Sequence, residues 1–360
     1  MTTPDLVLTQ PDDWHLHLRD GAALRAVVRA SAAQFARAMV MPNLKPPVTT
    51  TALAQAYRQR ILEALPEGTS FQPLMTLYLT DSTPASEIRI AKASGIVHGV
   101  KLYPSGATTN SDSGVSRIDK VYAALEAMQE VDMPLQVHGE VVDAGVDTFD
   151  REAVFIDKIM LPLRERFPDL RIVFEHITTS QAAQFVTEQC RAELARLSAG
   201  RSRRTLRMGA TVTPQHLLFN RNAIFSGGLR PHWYCLPVLK REEHRLALVA
   251  AATSGLPAFF LGTDSAPHAT HLKEHGAACA GCYTAPHALE LYATAFERAS
   301  ALDKLEAFSS HFGPDFYGLP RNVAKVTLSR STWIVPEHLP FGEHTIVPLA
   351  AGETLEWKLE

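Results

Sequence analysis

Two histidines separated by a single residue, His15 and His17, stand in the stretch Trp14-His-Leu-His-Leu-Arg-Asp20. They follow a short apolar run, Val7-Leu-Thr-Gln-Pro, near the end of the first predicted strand. Side chains two residues apart on a strand point to the same face, so both imidazoles can reach one metal ion, and imidazole is a common zinc ligand. On its own, the pattern fits better with two half-exposed histidines in a polar turn. The rest of the chain must decide between the two interpretations.

Other polar residues end further apolar runs of the chain. In sequence order they are Asn43, Lys101, His138, His176 and Asp264. In a barrel of alternating strands and helices, the reacting groups stand at the carboxyl ends of the strands. Each of these residues alone has an ordinary explanation, such as a hydrogen-bonded strand end. Together with His15 and His17 they predict a metal-dependent active site at one end of a barrel.

Lys101, in Val100-Lys-Leu-Tyr-Pro, is the unexpected member of this set. A charged ammonium group inside the mouth of a barrel, beside metal ions, is costly. An uncharged lysine amine can instead take up CO₂ and become a carbamate, an anion with two oxygens that can bridge two metal ions. Lys101 by itself would be better explained as a salt-bridge partner, but among four histidines and Asp264 the carbamate is the better interpretation.

The composition describes a globular protein with a large core. The 360 residues are 46% hydrophobic and 20% charged, which suits one barrel-type α/β domain. The net charge of −3 shows no electrostatic signature for nucleic acid. Four cysteines do not form a disulfide framework, and we find neither a signal peptide nor a membrane span. We therefore expect a cytoplasmic protein with no nucleic-acid or membrane partner.

Strand and helix patterns alternate along the chain and predict a (β/α)8 TIM barrel rather than an open sheet. After the His-x-His strand, the predicted strands cover residues 38–42, 71–80, 96–103, 134–139, 170–178, 208–213 and 258–262. The predicted helices cover residues 22–35, 49–65, 118–131, 149–167, 180–197 and 240–252, and another begins near Asp81. We expect residues 1–360 to form a single domain, with a short tail at about 320–360 packed on the outside of the barrel.

Six segments of the chain resemble the dihydroorotases, and specifically their single-domain, homodimeric class within the amidohydrolase superfamily. The segments are Trp14-His-Leu-His-Leu-Arg19, Met41-Pro-Asn43, Val100-Lys-Leu-Tyr-Pro104, Val137-His-Gly-Glu140, Phe174-Glu-His-Ile-Thr178 and Leu261-Gly-Thr-Asp-Ser-Ala-Pro-His268. The likeness runs along nearly the whole chain. It implies a homodimer that interconverts dihydroorotate and N-carbamoyl-L-aspartate in de novo pyrimidine biosynthesis.

The resemblance also implies a binuclear zinc centre. One zinc ion would be held by His15, His17, Asp264 and carboxylated Lys101, and the other by Lys101, His138 and His176. A hydroxide would bridge the two ions, its pKa lowered by both. Asp264 would be the catalytic acid and base, carrying a proton to the departing ring nitrogen.

For the substrate, the resemblance implies a carboxylate clamp formed by Arg19, Asn43 and His268. A guanidinium meets a carboxylate with two hydrogen bonds, although a surface ion pair of Arg19 with Asp20 or Asp13 is the simpler alternative. His138, Leu236 and Ala280 match further substrate-contacting positions. Thr108 and Thr109 match the tip of a loop, residues 105–114, that we expect to close on the substrate.

Several questions stay open at the level of the sequence. A dihydropyrimidinase-like or hydantoinase-like cyclic amidase would share the metals but would not need the clamp, and an inactive barrel homologue could act in assembly. Cys279-Ala-Gly-Cys282 is a weak zinc motif without a second pair, although His271 and His275 lie nearby. We expect reduced cysteines beside the pocket, and a solvated surface loop for the basic stretch 198–207.

Overall fold

Eight parallel strands form the central sheet of the protein in the computed structural model, which describes residues 5–198 and 206–360. They follow one another in chain order around the sheet: β2 (Asp12–Leu16), β3 (Arg37–Val40), β4 (Gln72–Tyr78), β5 (Val97–Leu102), β6 (Leu135–Val137), β7 (Ile172–Phe174), β8 (Met208–Val212) and β9 (Phe259–Leu261). The predicted (β/α)8 TIM barrel is thereby confirmed. Nearly every residue of these strands is buried, as parallel strands covered by helices on one side require.

The barrel closes between its first and last strands, β2 and β9. The main-chain N–H of Asp264 donates to the carbonyl of His15 at 2.9 Å, and the N–H of His17 donates to the carbonyl of Ser265 at 3.1 Å. We call this junction the seam. Because His15 and Asp264 lie directly on it, the two ends of the sheet meet where the predicted metal ligands stand.

Helices connect the strands and cover the barrel. They are α1 (Gly21–Gln34), α2 (Thr51–Ala64), α3 (Ala85–Ser94), α4 (Tyr122–Glu130), α5 (Arg151–Phe155), α6 (Leu161–Arg166), α7 (Ser180–Ser198), α8 (Pro214–Leu218), α9 (Glu242–Ala252), α10 (Thr270–Lys273), α11 (Ala288–Arg298), α12 (Leu302–Glu306) and α13 (Phe312–Tyr317). Their ends follow local chemistry: Thr50 caps α2 by accepting from the N–H of Leu53, and Gly95 ends α3 at φ 70°. Where a helix was predicted, the observed bounds agree within a few residues.

The lower end of the barrel, where the strands begin, is filled by aromatic side chains. Trp14 stacks on Tyr317 of α13, with ring centroids 4.5 Å apart and planes 7° from parallel. The Tyr317 hydroxyl in turn accepts a hydrogen bond from Gln136 of β6. The strand that carries the histidines is thus anchored at its base, which holds its other end in place.

The apolar run before the histidines forms a separate strand, β1 (Leu6–Thr9), which lies outside the barrel. It pairs antiparallel with β10 (Lys325–Ile334), which pairs with β13 (Thr354–Leu359). Pro11, which has no N–H for a ladder, separates β1 from β2. The prediction of one strand running into the histidines was therefore wrong at its start.

The segment from residue 320 onward contains more regular structure than the predicted short tail. Besides β10 and β13 it holds a hairpin of β11 (Leu339–Phe341) and β12 (His344–Ile346). The tail contacts helix α11 through hydrogen bonds from the N–H of Leu359 to Glu290 and from the indole of Trp357 to Glu297. Arg330 also forms an ion pair with Glu297.

Candidate active site

The centre of the site is a group of three buried side chains, His15, His17 and Asp264. Their ligand atoms all lie within 4.8 Å of one another, and no other group of this kind occurs among the described residues. Asp264 Oδ1 is 3.4 Å from His15 Nε2 and 3.1 Å from His17 Nε2. Two imidazole nitrogens and one carboxylate oxygen therefore converge on a single point.

Hydrogen bonds on the far side of each ring fix the tautomers of these histidines. His15 Nδ1 is 2.8 Å from Glu175 Oε2, and His17 Nδ1 is 2.8 Å from Asn43 Oδ1. Because both partners only accept, each Nδ1 carries a hydrogen and each neutral ring presents the lone pair of Nε2 to Asp264. Burial lowers the pKa of both histidines, which disfavours the imidazolium form. Lone pairs facing a carboxylate without a proton between them are an arrangement that fits a bound cation.

Two more histidines complete a ring around the same space. The rings of His15 and His176 have centroids 4.9 Å apart, as have those of His138 and His176. His138 Nε2 is 2.8 Å from Glu140 Oε2, which leaves its Nδ1 free to bind. His176 Nδ1 is buried and has no hydrogen-bond partner within residues 5–198 and 206–360. Four imidazoles are thus presented to one small volume.

The Lys101 side chain enters this volume from β5 and is completely buried. Its Nζ has no hydrogen-bond partner in the described part of the chain and lies 5.1 Å from the centre of the Tyr103 ring. Burial lowers the pKa of Lys101 to about 8, against the opposing charges of Glu175 and Asp264. A buried, unpartnered amine of lowered pKa is poorly accommodated as an ammonium ion, so it suits conversion to a carbamate. The donor set as a whole fits two metal ions.

Positive φ angles mark the site. Arg19 at 60°, His176 at 39° and Asp264 at 46° all occupy the left-handed region, which costs a non-glycine residue about 1–3 kcal/mol. All three follow the ends of barrel strands and were proposed as ligands or substrate contacts from the sequence. Three of the seven non-glycine residues with positive φ in the described part of the chain thus lie at the site.

A small cavity adjoins the histidines, and most of the sequence-predicted site residues line it. Its lining is His15, His17, Arg19, Asn43, Tyr103, Thr108, Thr109, His138, His176, Leu236, Asp264, Ala266, Ala280 and Gly281. Of the predicted substrate contacts, His268 is the one that does not belong to this lining.

Arg19 nevertheless ties His268 to the cavity. Arg19 Nε donates to the carbonyl of Pro267 at 3.0 Å, and Arg19 Nη2 lies 2.9 Å from His268 Nε2. Burial and the neighbouring Arg19 charge lower the pKa of His268 to about 2, so the imidazole is neutral. Its Nε2 also lies 3.1 Å from the carbonyl oxygen of Ala280, which lines the cavity. The alternative ion pair of Arg19 with Asp20 is not observed, because Asp20 is bound by Arg60.

Asn43 has two contacts that the sequence did not indicate. Its Oδ1 accepts from His17, and its Nδ2 donates to the carbonyl of Thr109 at 3.1 Å. The residue therefore joins a predicted metal ligand to the loop 105–114, in addition to lining the cavity.

The cysteines do not form a metal site with the nearby histidines among the described residues. Cys282 packs in an apolar cluster with Cys235, while the His271 ring faces that of His344. All four cysteines are free, as expected. The basic stretch 198–207 lies largely outside the described residues.

Sequence reasoning missed three side chains that complete the site. Tyr103 lines the cavity beside Lys101, and its buried hydroxyl has no hydrogen-bond partner within the described ranges. Glu140 and Glu175 orient two of the histidines. Each of the three was within quoted motifs, and Tyr103 stands two residues after Lys101, the spacing that places side chains on one face of a strand.

A parallel barrel with histidines, a lysine and an aspartate at the carboxyl ends of its strands is the architecture of metal-dependent hydrolases. Residues 3–335 match the Amidohydrolase family. The chain is 66% identical to the dihydroorotase of Cupriavidus pinatubonensis over 99% of both proteins. Among solved structures it matches the dihydroorotase of Campylobacter jejuni with 34% identity and a TM-score of 0.87, covering 100% of this chain and 98% of that one.

A second solved structure, the dihydroorotase of Saccharomyces cerevisiae in complex with 5-fluoroorotic acid, matches with 31% identity and a TM-score of 0.86. It covers 100% of this chain and 99% of that one. The chain therefore belongs to the amidohydrolase family and, within it, to the dihydroorotases. This confirms the resemblance drawn from the sequence motifs. None of the described helices is long and apolar enough to span a membrane.

Proposed function

We propose that this protein is a zinc-dependent dihydroorotase that opens the ring of dihydroorotate to give N-carbamoyl-L-aspartate and also catalyses the reverse reaction. The observation that carries the proposal is the convergence of His15, His17 and Asp264 beside the unpartnered amine of Lys101, at the wall of a cavity that also presents Arg19. Metal ligands and a carboxylate-binding group thus face the same space.

The metal centre would be held by the side chains described above. His15, His17 and Asp264 would bind one zinc ion, His138 and His176 the other, and the carbamate of Lys101 would bridge the two. When bound, the ions would activate water and polarise the substrate carbonyl. Glu175, Asn43 and Glu140 support the proposal, since each holds a histidine in the tautomer that a metal requires.

Asp264 has the position of a proton carrier. Its carboxylate lies at the cavity wall, where it can reach a substrate bound in the cavity. It would accept the proton from the attacking water and deliver it to the ring nitrogen as the amide bond breaks. In the direction of ring closure the same carboxylate would take that proton back.

Arg19 would select the substrate by its carboxylate. With Nε bound to Pro267 and one Nη2 proton directed to His268, the remaining guanidinium N–H groups are available to the cavity. The yeast relative, which binds a pyrimidine carboxylic acid, supports this assignment. Asn43, His268, Leu236 and Ala280 would shape the remainder of the pocket.

Substrate choice tests the proposal against the alternative cyclic amidases. A guanidinium that lacks its anion loses charge-assisted hydrogen bonds of about 1.5–3 kcal/mol each, so we expect turnover of dihydroorotate and almost none of dihydrouracil when both are assayed side by side. Equal turnover of dihydroorotate and dihydrouracil would refute the proposal that the enzyme selects its substrate by the carboxylate group. An inactive homologue would purify without stoichiometric zinc, which metal analysis detects.

We further propose that the protein is a cytoplasmic homodimer and that its residues form one domain. The single-domain homodimeric class that the motifs resemble supports the dimer. Sedimentation velocity over a range of protein concentrations would test it, and a monomer at all concentrations would disprove it.

A further inference from the structure

A buried carboxyl group, that of Asp13 on β2, contacts both strands of the seam. No strand ladder joins β2 to β9 among the described residues. A single parallel bridge, between Leu16 and Ser265, joins the two sides through the two main-chain hydrogen bonds described above. A side chain that binds both strands therefore adds to a small number of main-chain contacts.

Asp13 makes three hydrogen bonds, and every one goes to a residue at or beside a proposed metal ligand. Asp13 Oδ1 accepts from the N–H of Thr263 at 2.9 Å and from the N–H of His15 at 3.1 Å. Asp13 Oδ2 accepts from the Thr263 hydroxyl at 2.6 Å. Asp13 itself is fully buried and lies two residues before His15, while Thr263 directly precedes Asp264.

The Thr263 hydroxyl extends this network to the other side of Asp264. It accepts from the N–H of Ser265 at 3.0 Å while it donates to Asp13. Thr263 is thus bound to Asp13 directly, and Ser265 is bound to it indirectly through the Thr263 hydroxyl. A carboxyl group with two fixed acceptor oxygens can hold two main chains in one alignment, whereas an apolar residue cannot.

We propose that Asp13 is a positioning residue that sets the alignment of the two ligand-bearing strands, so that His15, His17 and Asp264 can share one zinc ion. This inference rests on the metal centre under Proposed function. Loss of the contact would displace Asp264 relative to His15, whose ligand atoms are only 3.4 Å apart. Metal affinity falls by about 10–100-fold when such supporting groups are removed.

The test compares Asp13→Asn with Asp12→Asn in the full-length protein. Asparagine keeps the shape of the side chain but replaces one acceptor oxygen with an NH₂ group, which cannot accept from Thr263. Asp12 is a matched control because it is the neighbouring residue, equally buried, and binds Arg37 and Asn322 away from the seam. Zinc affinity is measured by competition with a chelator, and the cobalt-substituted proteins are compared by visible spectroscopy.

We expect Asp13→Asn to lower zinc affinity by about 10–100-fold, to alter the cobalt spectrum and to lower kcat more than it raises KM. Asp12→Asn should lower the thermal unfolding midpoint while zinc affinity stays parental. If Asp13→Asn does not fold, Thr263→Val and Thr263→Ser replace it: serine keeps the hydroxyl and should retain more zinc affinity than valine.

Two results would overturn the inference. The first is a parental zinc affinity in Asp13→Asn, or in Thr263→Val if that variant replaces it. The second is a loss of zinc affinity in Asp12→Asn equal to that in Asp13→Asn. Failure of the proposed function gives a different outcome, because the parent protein would then bind no stoichiometric zinc or leave dihydroorotate unchanged.

Discussion

Thr109 Oγ1 lies 3.3 Å from the carbonyl oxygen of Ala280, across the cavity from the strand that bears Lys101. This contact joins the loop 105–114 to the segment after β9 and covers the site. The tip of the loop is tied internally as well, since the buried Ser111 hydroxyl bonds to both the N–H and the carbonyl of Thr108. The structure therefore places the tip of the loop against the wall of the cavity.

Replacing Thr108 and Thr109 together with valine should lower kcat/KM for dihydroorotate by about two powers of ten. The estimate corresponds to the loss of two hydrogen bonds to a charged ligand. Zinc content should not change, because neither threonine contacts a proposed metal ligand. Ser113→Ala, an exposed change in the same loop, is the control. Parental kinetics in the double variant would show that the segment is an ordinary loop.

Arg19→Met should reduce kcat/KM for dihydroorotate by about 100-fold or more, since a charge-assisted pair contributes about 1.5–3 kcal/mol per hydrogen bond. Two zinc ions per chain should remain. Steady-state kinetics and metal analysis of the same preparation check both expectations, with Arg25→Met on the exposed side of α1 as control. Loss of zinc together with activity would instead assign Arg19 a structural role.

Lys101→Ala should lose metal and activity together. Without the bridging anion, two zinc ions would repel each other across the gap. Lys101→Glu should retain only slightly more metal and activity than Lys101→Ala, because its shorter side chain cannot bring both carboxylate oxygens to the two metal positions. Zinc per chain and turnover are measured for both variants, and Lys158→Ala on the surface serves as control. A fully active Lys101→Ala protein would show that the carbamate is not needed.

Glu290 should make the protein less stable as the pH rises. Burial raises the pKa of this carboxyl group from 4.5 to about 7, and its Oε2 has no partner in the described part of the chain. The folded state thus holds the proton more tightly than the unfolded state does. The resulting stabilisation is complete below pH 4.5 and is lost as the pH rises through about 7.

Glu290→Gln, neutral at every pH, should therefore be more stable than the parent at pH 8.5, by about 3 kcal/mol at most, and nearly equal to it at pH 4. Chemical denaturation at the two pH values measures the difference. Glu243→Gln, at an exposed position of α9, should change neither value appreciably. A Glu290→Gln protein that is less stable than the parent at pH 8.5 would contradict the assignment.

The barrel could be predicted from the sequence because its strands are short apolar runs, each ending in a polar residue and followed by a helical pattern. Residues 6–9 show the limit of that approach. Their apolar pattern is the same as that of a barrel strand, and only pairing with Lys325–Ile334 assigns them to another sheet. Pairing with a strand so distant in the sequence does not change the local pattern of apolar residues, so that pattern cannot reveal it.

The residues of the site likewise include some that the sequence predicts and others that only the structure reveals. His15, His17 and Lys101 could be predicted because short motifs contain them, whereas the contact between His15 and Glu175 spans 160 residues. Nor does the sequence show that Asn43 accepts from His17, since amide side chains at strand ends have many possible partners. Groups that reach the cavity directly were therefore easier to recognise than groups that orient them.

The pairing of β1 with β10 has a consequence for how the protein is made. Lys325 donates to the Thr9 hydroxyl across a sequence separation of 316 residues, and β1 leads directly into the strand that carries His15 and His17. A ribosome delivers the chain from its amino end, so β1 has no partner until almost the entire polypeptide has emerged. Closing so long a loop is also slow compared with local pairing. The strand β1 is consequently paired among the last steps of synthesis, long after its neighbour β2 has met β3.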